Sequence, residues 1–183
     1  MKRIYRVMKY FIPSLLFLTL AACSGVKVLN TEANDGFALS NYKTFDFYKL
    51  EARGDTVTAN FETNAELLKQ AITKQLQTKG LQQAISNPAL LVNIGVVVEE
   101  KIQTRETNLR DAPVYMGTRN YSWKSEEIEV GRYKEGTVTV HLVDPSTKKL
   151  MWKGVVEGVL PSKNSNLPPM IDAAMSALFS KIQ

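Results

Sequence analysis

The chain has 183 residues, of which 44% are hydrophobic and 22% charged, so it is long and apolar enough to build one folded domain with a buried core. Its formal net charge is +5, but four of its 23 basic residues lie within the first nine positions, and the 19 that remain nearly balance 18 acidic residues. This balance gives no electrostatic surface for nucleic acid, and we expect no nucleic-acid partner.

The first 22 residues are organised unlike the rest of the chain. A basic stretch over residues 2–9 contains no acidic side chain and leads into thirteen mostly apolar residues, 10–22. A membrane-spanning helix needs about 20 apolar residues, so this run is too short to span a bilayer comfortably. A basic front, a short apolar middle and a small-residue end are typical of a secretory signal. We therefore predict a signal peptide over residues 1–22.

The predicted signal ends at Leu20-Ala21-Ala22-Cys23, which resembles the lipobox of bacterial lipoproteins. The resemblance implies cleavage between Ala22 and Cys23, a diacylglyceryl group on the Cys23 thiol and acylation of the new amino group. Cys23 is the only cysteine, and a thioether would protect it from stray disulfides in an oxidising compartment. The alternatives are an ordinary signal peptide with a chance cysteine and an uncleaved anchor.

The residues after Cys23 indicate where the chain is placed. Ser24, rather than Asp, follows the cysteine, which resembles sorting to the outer membrane, and no acidic cluster comes directly after it. We expect a domain that faces the periplasm, with the membrane as a partner through the lipid anchor and an envelope protein or glycan as a further partner. Residues 24–41 show little periodicity, so we predict that the lipidated cysteine and a flexible tether occupy residues 23–41.

The predicted domain covers residues 42–183 and starts with a strand. Aromatic residues alternate over 42–48, which is typical of a strand, and 50–60 is predicted to be a loop. A capping-box pattern at 63–66 predicts the start of a helix, and Gly80 suits its C-terminal end. The apolar stripe of this helix comprises Ala65, Leu68, Ile72 and Leu76.

Alternation of apolar and polar residues predicts the strands that follow. Residues 90–98 have one apolar face, 127–130 begin a further strand, and 137–142 form a hairpin with a return strand after a turn at 144–147. The apolar face of the return strand comprises Leu150, Trp152, Val156 and Leu160.

A closing helix is predicted to start at the paired prolines Pro168 and Pro169, which suit a first helical turn. Its apolar stripe comprises Ile171, Met175, Leu178 and Ile182. The order of strand, helix, several strands and helix predicts the α+β class. We expect a mainly antiparallel β-sheet with two helices packed on one face, after the signal peptide and the flexible tether.

Three stretches together resemble a bacterial lipoprotein family defined by the domain of unknown function 4136. They are 41–45 (NYKTF), 79–81 (KGL) followed by 90–92 (LLV), and 136–154, which runs from Gly-Thr-Val to Trp-Lys-Gly. The resemblance covers most of residues 40–182. It implies a cell-envelope lipoprotein without an established activity, and it supplies no catalytic residues.

The sequence offers few residues for catalysis or metal binding. His141 is the only histidine, and it lies on the polar side of its strand, where a solvent-facing or lightly bonded side chain is expected. One histidine and one lipidated cysteine are too few ligands for zinc, so we expect no metal, no cofactor and no catalytic residues. A hydrolase of cell-wall or glycan material is the alternative function. Its carboxylates would come from Glu99, Glu100, Glu126, Glu127 and Glu129.

The segment 107–125 lacks clear periodicity but carries aromatic side chains beside cations, a combination used in saccharide and peptide contacts. The candidate binding patch consists of Tyr115, Arg119, Tyr121 and Trp123. Packing of this segment onto the sheet is the alternative. Trp152, by contrast, is predicted to lie in the core, with Gly154 leaving room for its ring. These features predict a non-enzymatic binding or structural module.

Overall fold

The computed structural model describes residues 25–54, 60–108, 111 and 124–182. Its strands are β1 (Val26–Ala33), β2 (Thr44–Gly54), β3 (Gln82–Gln83), β4 (Leu90–Glu106), β5 (Glu127–Val143) and β6 (Leu150–Val159). Its helices are α1 (Phe61–Thr78) and α2 (Leu167–Phe179), and short 3-10 turns cover Leu39–Asn41 and Asn164–Asn166. The predicted signal peptide, residues 1–22, lies outside the described residues.

The six strands form one sheet in the order β1-β6-β5-β4-β2-β3, which curls into a half-barrel. β1, β6, β5 and β4 pair antiparallel, whereas β2 runs parallel to both β4 and β3. A sheet with two helices is confirmed, but the sheet is mixed where we predicted a mainly antiparallel one. Parallel pairing arises because α1 and the residues after it return the chain to the starting end of β2, so that β4 runs in the same direction.

Residues 26–33 form the edge strand β1, where we predicted a flexible tether. Val26 and Val28 pack against the core from the inner face of the sheet, and β1 pairs with β6 along its length. A bulge between Val28 and Asn30 shifts the register and leaves Leu29 exposed. The bulge interrupts the alternation of inward and outward residues, which is why the sequence of this strand lacks a visible period.

Helix α1 starts two residues before the predicted capping box. Thr63 therefore lies inside the helix and is not its N-cap, so the capping-box prediction is wrong. The N-cap is Asn60, whose side chain makes no capping hydrogen bond. The prediction for the C-terminal end is confirmed, because Gly80 has a φ of +91°. The N–H of Gly80 donates to the carbonyl of Gln77, and the N–H of Leu81 donates to the carbonyl of Leu76. These two bonds form a Schellman motif.

The hairpin of β5 and β6 is confirmed. Its turn is closed by the Asp144 carboxylate, which accepts hydrogen bonds from the hydroxyl and the N–H of Ser146 and therefore has a lowered pKa. Trp152 and Val156 are buried on the inner face, as predicted. Leu150 is instead exposed, because the register shifts by one residue before the turn and moves its side chain off that face.

Three strands are longer than predicted. β2 continues to Gly54 through part of the predicted loop, and the strand predicted at 127–130 is continuous with the first strand of the hairpin. β4 and β5 pair with each other as far as Glu106 and Glu127, well beyond their pairing with β2 and β6. We call this two-stranded extension, residues 99–106 and 127–134, the arm. A ribbon of two strands has little stability of its own.

The core lies between the inner face of the sheet and the two helices. The buried rings of Trp152 and Phe179 have centroids 5.6 Å apart. A Cβ at Gly154 would lie 2.8 Å from Cδ1 of Leu178 and would overlap the Trp152 ring, which confirms that this glycine makes room for the ring. Other fully buried side chains are Phe45, Ile72, Leu76, Leu81, Leu90, Val92, Val140, Leu142, Val156, Met175 and Leu178.

Candidate functional site

The predicted lipid-attachment, cleavage and patch residues lie outside the described residues. They are Ala22, Cys23, Tyr115, Arg119, Tyr121 and Trp123. Cleavage, lipidation and the binding patch therefore stay predictions. The two ends of the segment that carries the patch are described. They meet at the far end of the arm, where the N–H of Thr107 donates to the carbonyl of Glu126 at 2.8 Å and Ser125 Oγ donates to the Thr107 carbonyl at 2.7 Å.

His141 lies half-buried on the outer face of the sheet, away from the core. Its cross-strand neighbours are Asn93 on β4 and Lys153 on β6. Burial and, to a smaller extent, the charge of Lys153 lower the pKa of His141, so its imidazole is mostly neutral at pH 7. The Oδ1 atom of Asn93 is buried without a hydrogen-bond partner among the described residues.

The carboxylates that the hydrolase alternative requires are spread along the arm. Glu99 and Glu100 lie at its base, whereas Glu126 and Glu127 lie at its far end. Six residues of β4 separate the two positions, which at about 3.3 Å per residue is about 20 Å. A glycosidase needs two carboxyl groups about 5–10 Å apart, so these pairs do not meet that requirement.

Glu100 and Glu129 are closer to each other, but Arg132 lies between them. Its Nη1 atom is 3.6 Å from Glu100 Oε2, and its Nε atom is 2.7 Å from Glu129 Oε1. The hydrogen bond that Arg132 donates to the Glu129 carboxylate raises the pKa of Arg132, so the guanidinium stays charged. The guanidinium occupies the space that a substrate oxygen would need between two catalytic acids.

The described part of the chain has neither a group of side chains suited to a metal ion nor a membrane-spanning helix. Within residues 25–54, 60–108, 111 and 124–182, no three side chains of His, Cys, Asp or Glu are grouped so that they could hold a metal ion. Over the same residues, neither helix combines the length and the apolar character that crossing a bilayer requires.

A partly open cavity of about 630 Å³ lies between the inner face of the sheet and the N-terminal halves of α1 and α2. Its floor is a row of three valines, Val96, Val138 and Val156, which are paired directly across β4, β5 and β6. The helices cover it with Ala65, Leu68, Met170, Ile171, Ala174 and Met175. Because these side chains are all apolar, the interior of the cavity is suited to an apolar group.

Two glycines widen one end of the cavity. The row next to the valine floor pairs Val98 with Gly136 and Gly136 with Gly158, and all three residues line the cavity. A Cβ at Gly136 would lie 3.1 Å from Leu160 Cδ2, and a Cβ at Gly158 would lie 2.7 Å from Met170 Cε. A side chain at either position would meet Leu160 or Met170, which both line the cavity, and would push them into its volume.

Charged side chains form part of the rim. Glu100, Arg132 and Lys134 line the cavity from the base of the arm on β4 and β5. An apolar interior with a charged rim is suited to a ligand that has an apolar body and a polar end.

This cavity was not predicted from the sequence. The signal that could have indicated it is the placement of Gly136 and Gly158 at inward positions, two residues from the inward-facing Val138 and Val156. Glycine at an inward strand position marks either close packing or open space, and the sequence alone does not distinguish the two.

The chain is similar to one described family and to several solved structures. The family model described as Domain of unknown function (DUF4136) matches residues 29–182. A PDZ domain protein from Parabacteroides distasonis is 15% identical with a TM-score of 0.49; the match covers 85% of this chain but only 36% of that chain. The PelC dodecamer from Paraburkholderia phytofirmans is 13% identical with a TM-score of 0.44, over 86% of this chain and 99% of that chain. No curated protein matches the sequence.

Proposed function

This chain belongs to the DUF4136 family, and on that premise we propose that it is a cell-envelope lipoprotein whose domain binds a ligand without catalysing a reaction. Cys23 carries the lipid anchor in the outer membrane, and the domain faces the periplasm. The ligand has an apolar body that enters the cavity and a polar end that stays at the rim.

The observation that carries this proposal is the cavity between the sheet and the helices. Its volume of about 630 Å³ lies within the range of about 300–1,000 Å³ that is usual for sites that bind small molecules. Apolar surface in contact with water costs about 25 cal/mol per Å² relative to apolar surroundings. An apolar ligand that covers the valine floor and the helix side chains would remove this surface from water, and that free energy would favour binding.

The arrangement of the described carboxylates does not favour the hydrolase alternative. The carboxylates at the two ends of the arm are about 20 Å apart along β4, and Arg132 lies between Glu100 and Glu129. The binding proposal needs only the cavity, and it needs no convergent acids.

The cavity is tested by titrating an apolar fluorescent probe, N-phenyl-1-naphthylamine, into the unlipidated chain from Ser24 onward, which keeps every described residue. Binding should raise the probe's emission, and a long-chain fatty acid should displace it. Val138→Phe places a ring in the cavity from its floor and should weaken probe binding by about tenfold or more. Thr139→Phe is the matched control, because it places the same ring on the opposite face of β5.

The comparison of these two variants decides the result. Loss of binding in Val138→Phe alone supports the cavity as the site. Equal binding by both variants, or no binding by the unsubstituted chain, would contradict the proposal.

The anchor is tested separately by mass spectrometry of the protein extracted from membranes. The mature chain should begin at Cys23 and carry acyl mass, and Cys23→Ala should leave unprocessed precursor. An unmodified Cys23 on a cleaved chain would overturn the anchor without bearing on the cavity. Protease added to intact cells should leave the domain uncut if it faces the periplasm.

A further inference from the structure

The first described residues of the chain lie against the wall of the cavity. Val26, the first residue of β1, pairs with Gly158, which lines the widened end of the cavity. A Cβ at Gly158 would lie 3.2 Å from the carbonyl oxygen of Gly25 and 3.5 Å from Val26 Cγ2. The chain therefore enters the domain beside the cavity.

The distance from the cavity to Cys23 is limited by covalent geometry. Cys23 precedes Gly25 by two residues, and two residues span at most about 7 Å whatever their conformation. A flexible tether over 24–41 would instead have had a typical end-to-end distance of about 21–25 Å. Because β1 occupies residues 26–33, any group attached to Cys23 begins close to the cavity wall.

We propose that the occupant of the cavity is an acyl chain carried by Cys23 of the same molecule. This inference rests on the proposed function, because it requires Cys23 to be lipidated. The cavity supplies the apolar surroundings that an acyl chain needs, and its widened end is the end at which Gly25 enters the domain. The short connection favours this occupant, since linking two groups by a short flexible segment gives an effective concentration of the order of millimolar.

Anchoring and occupancy are compatible in a lipoprotein with three acyl chains. A single chain binds membranes only marginally, whereas two membrane-binding signals hold a protein stably. One chain in the cavity would leave two in the bilayer, so the protein stays at the membrane. Each methylene group buried in the cavity is stabilised about as much, relative to water, as one buried in the bilayer. The chain can therefore exchange between the two environments.

The occupant is identified by photo-crosslinking within the full-length lipidated protein in its membrane. The photoreactive residue p-benzoyl-phenylalanine replaces Met170, whose Cε atom borders the widened end of the cavity. After irradiation and digestion, we expect residue 170 to be joined to the lipidated peptide that begins at Cys23. The same replacement at Leu160, which also lines the cavity, gives a second position in case the first impairs folding. Replacement at Thr139, on the outer face of the sheet, is the control and should not capture the lipopeptide.

Two further experiments distinguish an acyl chain of the same molecule from one that belongs to another molecule. When equal amounts of light and isotopically heavy protein are mixed in one membrane, crosslinks should join peptides of the same isotope only, as an intramolecular contact requires. Ten Gly and Ser residues inserted between Ser24 and Gly25 should reduce the crosslink by about tenfold, because effective concentration falls roughly as the −3/2 power of linker length.

Capture of a free phospholipid, of a lipopeptide from another molecule, or of no lipid would each overturn the inference. The same digest reports the mass of the peptide that begins at Cys23. Absence of acyl mass there would mean that the proposed anchor has failed. Acyl mass without the intramolecular crosslink would mean that only this inference has failed.

Discussion

The two ends of the inner sheet face are built from the same strands and covered by the same helices, yet one end is filled and the other is hollow. At the filled end, one row joins Trp152, Leu142 and Val92 across β6, β5 and β4, and all three side chains are buried. At the hollow end, the corresponding row contains two glycines, Gly136 and Gly158. The difference therefore lies in side-chain volume, since the backbone pairing is the same at both ends.

Glycine has opposite consequences at the two ends. A Cβ at Gly154 would overlap the ring of Trp152 and would lie 2.8 Å from Leu178, so this glycine is part of the dense packing. The nearest neighbour of a Cβ at Gly158 would be the terminal methyl of Met170, at 2.7 Å. A methionine side chain is unbranched and adapts easily, whereas a buried ring does not. Gly154 therefore lets the core pack densely around the Trp152 ring, whereas the space beside Gly158 can change when Met170 changes its rotamer.

Trp152→Ala tests the filled end and should have the largest effect. It removes a large buried side chain that contacts Phe179, so the free energy of unfolding should fall by about 3–5 kcal/mol. Met170→Ala at the hollow end is the matched control. It should cost less than about 1.5 kcal/mol, because the Met170 side chain already borders open space. Urea unfolding followed by circular dichroism measures both values, and equal losses would contradict the division into two ends.

Gly154→Ala and Gly158→Ala test the two glycines with the same added methyl group. Gly154→Ala should reduce the free energy of unfolding by about 1–3 kcal/mol, because neither Trp152 nor Leu178 has room to move in the packed core. Gly158→Ala should cost less, about 1 kcal/mol, because Met170 can change its rotamer and the Gly25 carbonyl, 3.2 Å from the added Cβ, needs to move by only a few tenths of an ångström. Urea unfolding measures stability, and the naphthylamine titration should show weaker probe binding for Gly158→Ala. A larger loss of stability in Gly158→Ala would reverse our assignment of the two ends.

Shortening the arm tests whether ligand binding belongs to the hollow end or to the predicted aromatic patch. Ile102 and Arg132 are paired across the arm, so residues 103–131 can be replaced by a two-residue Asn-Gly turn. The free energy of unfolding should change by less than about 1 kcal/mol, because the ion pairs that are lost, Arg132–Glu129 and Arg105–Asp111, lie at the surface and contribute little. The cavity is kept, so the shortened protein should bind the probe as before. Loss of probe binding would assign it to the removed segment and its patch.

The strands and helices that could be predicted from the sequence are those with one continuously buried face. Leu90, Val92 and Ile94 alternate along β4 and are buried, and the stripe of α2 is confirmed by Met175 and Leu178. In these elements each inward residue meets the same core, so the local pattern reports the environment directly.

The features that the sequence did not reveal depend on contacts between distant segments. β1 lies at the edge of the sheet and contains a bulge at Leu29, so it lacks the period that marks a strand. The parallel pairing of β2 with β4 depends on the path of the chain through α1. The cavity requires Gly136, Gly158 and both helices to meet, and no local window contains all of them. Lipidation of Cys23 remains a prediction.

The smallest expected effect is a pH dependence of stability that comes from His141, on the outer face of the sheet. Burial, followed by the charge of Lys153, lowers the pKa of His141 in the folded protein below its ordinary value of 6.5. The unfolded chain then binds more protons than the folded one as the pH falls through about 6.5, so acidification destabilises the fold. The contribution of the neutral His141 to stability is fully present above the unfolded pKa of about 6.5 and is lost as the pH falls below that value.

Urea midpoints measured at pH 7.5, 6.5 and 5.5 test this effect. The midpoint should fall with pH for the unsubstituted chain and should fall less for His141→Gln. Lys153→Gln should recover part of the loss, because removing the positive charge raises the pKa of His141 toward its ordinary value. Parallel pH profiles for the unsubstituted chain and His141→Gln would show that His141 is not the titrating group.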